Sequence, residues 1–93
     1  MLEVNEYHDG RVKSIGFHTA TLPATVGVME PGTYQFSTRE AETMHVISGG
    51  MSVTLPDESE PRFYDEGDRF DVPGNSRFDV KITQQTAYFC VYH

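Results

Sequence analysis

Residues Gly32 to Gly50 read GTYQFSTREAETMHVISGG. Two hydrophobic runs, TYQFS and TMHVIS, alternate apolar and polar side chains on either side of a short polar break, and a glycine pair closes the stretch. Alternation at a period of two belongs to half-buried strands, whereas an amphipathic helix repeats every three to four residues. Two strands framing an acidic loop, with Glu42 at the start of the second, is the reading from which the rest of the chain follows.

The pattern continues in both directions. RVKSIGFHT alternates Lys13, Ile15 and Phe17 against Val12, Ser14 and Gly16, and ATVGVM stops at the turn Glu30-Pro31-Gly32. TMHVIS ends at Gly49-Gly50, which predicts a hairpin into MSVTL. An acidic loop, PDESEP, precedes RFY; DEGD and PGNS then separate RFY, RFDV and RFDVKI, and TAYFCVY comes last. No window shows a helical stripe. About nine or ten short strands at this spacing predict an all-β sandwich or barrel.

The totals set limits. Ninety-three residues make one domain, 1–93, with a small core that gains from association with a second copy. A net charge of −7 argues against nucleic acid and anionic membrane surfaces as partners. The one cysteine, Cys90, has no internal disulfide partner. The acidic opening MLEVNEYHDG is not a signal peptide, and no stretch approaches the ~20 apolar residues of a membrane span, so a cytoplasmic location is expected.

Periodicity alone leaves barrel, sandwich and jelly roll open. The punctuation is more specific. Gly32, a strand, a loop, Glu42, six residues and Gly49 resemble the first signature of the cupins; Gly67, five residues, Pro73 and a turn in GDRFDVPGNSRF resemble the second. NEY, VKSIGF, VGVM, FST, VISG, LPD and VPG, spread along the whole chain, are similar to the pyrimidine/purine nucleoside phosphorylases, a family of small single-domain cupins. That resemblance implies a jelly-roll β-barrel, paired as a homodimer. It implies a pentosyltransferase in which orthophosphate reversibly cleaves purine and pyrimidine ribonucleosides to free base and ribose 1-phosphate. The alternative is a cupin module that binds a nucleoside or sugar without reacting.

In a metal-binding cupin two histidines, a glutamate and a third histidine form the site. Mapped by spacing, those positions hold Phe36, Thr38, Glu42 and a residue at or near Phe78. One donor of four remains, too few for a first-row metal. His45 lies three residues after Glu42, an odd offset that puts the two on opposite strand faces. No metal and no cofactor are expected.

Phosphorolysis needs phosphate held below C1′, a gripped sugar and charge neutralisation on the departing base. For phosphate the candidates are Lys13, whose stem shares a face with Ile15 and Phe17, together with Arg39, Arg77 and Thr38. The Gly49-Gly50 turn adds candidate backbone donors, and Ser37 is expected to point outward. Glu42, inward in the family architecture, is the candidate partner of the ribose hydroxyls, since a buried carboxylate must find donors. Tolerance of many bases calls for flat surfaces, and Tyr34, Phe36, Phe78 and Tyr88 are the rings expected to line the barrel.

Overall fold

The computed structural model describes all 93 residues. Ten strands form it: β1 (Glu3–Tyr7), β2 (Val12–His18), β3 (Pro23–Met29), β4 (Gly32–Ser37), β5 (Glu42–Ser48), β6 (Gly50–Thr54), β7 (Arg62–Asp65), β8 (Arg69–Val72), β9 (Arg77–Ile82) and β10 (Thr86–Tyr92). There is no helix, hence none long and apolar enough to cross a membrane. Every pairing is antiparallel. The strands make a six-stranded sheet in the order β1-β2-β3-β10-β5-β8 and a four-stranded sheet in the order β4-β9-β6-β7. Two facing sheets with this much crossing between them are a jelly roll, the cupin-type architecture expected.

One strand and one hairpin differ from the expectation. The segment Glu3–Tyr7, polar at alternate positions and exposed along most of its length, forms edge strand β1 against β2. Its alternation is too weakly apolar to announce itself. The glycine pair, by contrast, makes no hairpin. β5 pairs with β10 and β8, whereas β6 pairs with β9 and β7, so Gly49-Gly50 carries the chain from one sheet to the other. Glycine chemistry marks a sharp reversal; which strands then pair is decided by which faces both sheets must bury.

Gly49 shows what the crossing requires. Its φ is +94°, and a Cβ there would lie 2.5 Å from the Thr86 hydroxyl. Thr86 Oγ1 in turn accepts from Gly50 N at 3.2 Å and donates to Gly50 O at 3.0 Å, stitching the crossing to β10.

Between the sheets the filling changes from one end to the other. At the closed end Met51, Val53, Val80 and Ile82 pack almost without solvent contact around Tyr34. Each such side chain contributes roughly 1.5–3 kcal/mol by burial. Tyr34 satisfies its hydroxyl by donating to the Glu30 carbonyl at 2.5 Å, and the His8 ring lies against it, tilted by 46° with centroids 4.9 Å apart. Towards the other end the inward positions become polar: Ser14, Thr25, Thr38 and Glu42. The gap there is not filled.

Candidate functional site

A cavity of about 240 Å³ opens at that polar end. Its inner walls come from alternate residues of β2, β3, β4, β5, β9 and β10, the strands whose odd-even register the two sheets fix. Its mouth is framed by the β4–β5 loop, which contributes Thr38, Arg39 and Glu40, and by Tyr7 of β1. Ligand pockets usually begin near 300 Å³. The enclosed space falls just short of that range.

Phe36 and Phe78, at two of the mapped ligand positions, face each other across the β4–β9 pair with ring centroids 5.6 Å apart, and both line the cavity. Tyr88 lines it from the opposite sheet. Three of the four candidate rings thus border one space, alongside Tyr7 and Tyr92. Tyr34 does not join them, because two residues of strand carry it into the closed core.

Glycine makes room for Tyr88. A Cβ at Gly27 would fall 2.6 Å from both the Tyr88 hydroxyl and the Lys13 carbonyl, so only hydrogen fits beneath the phenol. Burial pushes Tyr88 up to about 12, opposed by a polar contact from the Ser14 hydroxyl. Ser14, buried on β2 between Val12 and Gly16, is a wall residue outside the charged and aromatic candidates. So are Cys90 and Tyr92. Their signal was parity, since both lie at even offsets from Tyr88 on β10 and must share its face.

Glu42 is 9% exposed and opens β5 opposite Val72 of β8 and Tyr92 of β10. Neither of the two ion pairs in the protein includes it. Burial raises its carboxyl to about 7; the Cys90 thiol beside it pulls the other way, and the charge of Glu40 adds to the rise. Cys90 itself is pushed up to about 12 by burial, then by Glu42. Tyr92 is raised further still, chiefly by burial, while its hydroxyl lies 3.0 Å from Thr25 Oγ1. Glu42 and His45 occupy opposite faces, and the His45 ring lies tilted against Phe89 on the outer side with centroids 5.3 Å apart. No three His, Cys, Asp or Glu side chains converge anywhere in the chain.

The phosphate candidates separate. Arg39 is on the cavity rim. Thr38 is there too, yet its Oγ1 donates to the Pro73 carbonyl at 2.7 Å and accepts from Ser76 N at 3.1 Å. It clasps the β8–β9 turn and holds the Arg39 loop in place. Lys13 is not interior: it lies on the outer face of the six-stranded sheet, with Nζ 3.2 Å from Glu6 Oε1 and both side chains mostly in solvent. The face that Lys13 shares with Ile15 and Phe17 is the outside of the sheet. Arg77 is exposed and is not part of the cavity wall. The Gly49-Gly50 amides are at the other end, and Gly50 N is committed to Thr86. Ser37, expected outward, reaches the rim because β4 ends there and regular alternation lapses.

A cavity walled by rings and one buried carboxyl inside a double antiparallel sheet is the architecture of a cupin. The fold matches an RmlC-like cupin from Shewanella frigidimarina with a TM-score of 0.76 at 18% identity, covering 98% of this chain and 82% of that one. A protein of unknown function from Vibrio parahaemolyticus superposes with a TM-score of 0.96 at 40% identity, over 100% of this chain and 99% of that one. The family model described as pyrimidine/purine nucleoside phosphorylase matches residues 2–92. A protein of that name from Hahella chejuensis is 58% identical over 92 residues, 99% of each chain. The chain belongs to the pyrimidine/purine nucleoside phosphorylase family.

Proposed function

We propose that this protein is a broad-specificity nucleoside phosphorylase. With orthophosphate it reversibly cleaves the C1′–N bond of purine and pyrimidine nucleosides, giving free base and ribose 1-phosphate. The observation that carries this reading is the full-length match to relatives bearing that name. The cavity agrees with it on three counts. Rings at Phe36, Phe78 and Tyr88 offer stacking faces without directional base recognition, and a site lacking buried base-edge hydrogen bonds does not discriminate strongly between bases. Ser14 supplies a hydroxyl inside for the sugar, and Glu42 adds a buried carboxyl to the same space. Arg39, the one basic residue lining the cavity, supports a phosphate site at its mouth.

Phosphate is the nucleophile, so the protein need not supply one, and burial makes Cys90 a poor one in any case. The chemistry asked of the chain is orientation and charge stabilisation, which requires no metal. The binding-only alternative is not favoured, since the relatives are named for the reaction. Incubation of the purified protein with uridine and with adenosine, with and without orthophosphate, tests the choice. Free base and ribose 1-phosphate appearing only with phosphate is expected; binding without turnover overturns it.

Support for a homodimer comes from the outer face of the six-stranded sheet. Val4, Ile15, Val26 and Phe89 form one row across β1, β2, β3 and β10, and Val4, Ile15 and Val26 are 63%, 43% and 42% exposed. Phe17 lies against Phe89 at 6.2 Å and Val28 extends the patch. A continuous apolar face of this kind marks an association surface, and a second copy covers it with the same row. A cytoplasmic location fits the free, buried Cys90 thiol.

A further inference from the structure

Breaking the C1′–N bond leaves the electron pair on the heterocycle, and a positioned acid that protonates it is worth about 10²–10⁴-fold. The acid must touch the cavity and must surrender its proton near the working pH. The groups facing the cavity around Glu42 are Tyr88, Cys90 and Tyr92 from β10, Tyr7 from β1, and Arg39 and Glu40 from the β4–β5 loop. β8 presents only Phe70 and Val72 to the interior. Tyr88, Cys90 and Tyr92 hold their protons far too tightly, because burial raises all three. Arg39 does not deprotonate in proteins, and Glu40 is exposed.

Glu42 is different in its geometry. It is inside, it is buried, and no cation neutralises it. An unpaired carboxyl in such a place is least costly as the neutral acid, which donates a hydrogen bond rather than demanding several.

Resting on the phosphorylase reading above, we propose that the Glu42 carboxylic acid is the catalytic proton donor to the departing base. An oxygen of hydrogenphosphate bonds to C1′ as the C1′–N bond breaks. The electron pair of that bond passes to the base, which takes the carboxyl proton and leaves neutral. The P–OH proton of the new ester then returns to the Glu42 carboxylate through water at the mouth. Hydrogenphosphate and nucleoside become ribose 1-phosphate dianion and neutral base, with no net proton and no other reactant.

The test is a ratio. kcat/KM for inosine is compared with kcat/KM for 4-nitrophenyl β-D-ribofuranoside, whose phenolate leaves without a proton, from about pH 6 to about pH 9. Titration of phosphate affects both substrates and cancels. The inosine-to-nitrophenyl ratio of the unaltered protein is expected to fall about tenfold per unit above the Glu42 value of about 7. Glu42→Gln is expected to lower the ratio at least tenfold at about pH 6.5 and to flatten it. A ratio that stays constant with pH in the unaltered protein overturns the proposal, and so does a variant that loses both substrates equally, which is what a sugar-gripping or structural carboxyl gives. If the variant does not fold, the profile of the unaltered protein decides alone. Should inosine yield no base with phosphate, the phosphorylase reading falls and takes the proposal with it; phosphorolysis with a flat ratio removes only the role of Glu42.

Discussion

The two faces of the six-stranded sheet each depart in part from the usual rule: polar groups share the inner face with Val12, Val46 and Val72, and apolar side chains stand on the outer one. Its inner face, closed over by the second sheet, carries Ser14, Thr25, Glu42, Tyr88 and Tyr92 at one end. Its outer face carries Val4, Ile15, Phe17, Val26 and Val28, all exposed. A sheet that only had to stabilise a monomer would be apolar inside and polar outside. On the function proposed above, each face serves an occupant: the inner one a polar ligand, the outer one an apolar surface. The closed end of the same barrel, solid with Met51, Val53 and Val80, supplies the core that this division leaves thin.

The largest effect that would break this contrast lies outside. Ile15→Glu with Val26→Glu puts two adjacent carboxylates into the centre of the apolar row. Mass by light scattering is expected to drop from dimer to monomer, a cost of several kcal/mol for burying unpaired charge. A dimer that survives would place the interface elsewhere.

On the inside, Gly27→Ala tests the fit beneath Tyr88. The added methyl meets the phenol and a backbone carbonyl at 2.6 Å, so a loss of roughly 1–3 kcal/mol in urea unfolding is expected. Loss of nucleoside turnover should accompany it, because Tyr88 must move.

Glu42 tests the same face through pH. Its folded value lies above the unfolded 4.5, so the native state binds more protons than the unfolded chain between about 4.5 and 7. Stability is therefore fullest below about 4.5 from this group and declines as pH rises through about 7. Glu42→Gln removes the decline, and the variant is expected to gain about 1–2 kcal/mol over the unaltered protein at pH 8 relative to pH 4.5, allowing for water at the mouth. Equal pH dependence in the two proteins would mean that Glu42 finds a partner in solution.

Smaller still, Arg39→Ala is expected to raise KM for phosphate about tenfold while KM for the nucleoside holds. Lys13→Ala sharpens the contrast by doing almost nothing. An exposed ion pair is worth at most ~1 kcal/mol, and KM for phosphate should stay the same, since Lys13 lies on the outer face with Glu6.

The strand alternation made nine of the ten strands legible, and the paired signatures made the cupin architecture legible. β1 escaped because an edge strand exposed on both sides carries no apolar alternation. The inward direction of Glu42, Phe36, Phe78 and Tyr88 was readable from ligand positions and parity. Lys13 shows where parity stops. It says which residues share a face and is silent on which face is the inside, and in this sheet the apolar neighbours of Lys13 mark the outside. Tyr34 shows a second limit, since depth along a barrel depends on where the opposite sheet ends.

What the sequence by itself determined is the local grammar: short alternating strands, turns at their glycines and prolines, and membership of a family through motifs spread along the chain. Those are properties of neighbours in the chain, written in neighbouring letters. Only the tertiary structure decided that Gly49-Gly50 crosses between sheets, that Ser14, Cys90 and Tyr92 join Glu42 around one cavity, and that Lys13 is turned away from it. Those outcomes depend on strands brought together across the sheets, where burial raises a carboxyl's affinity for its proton and a missing methyl leaves room for a ring.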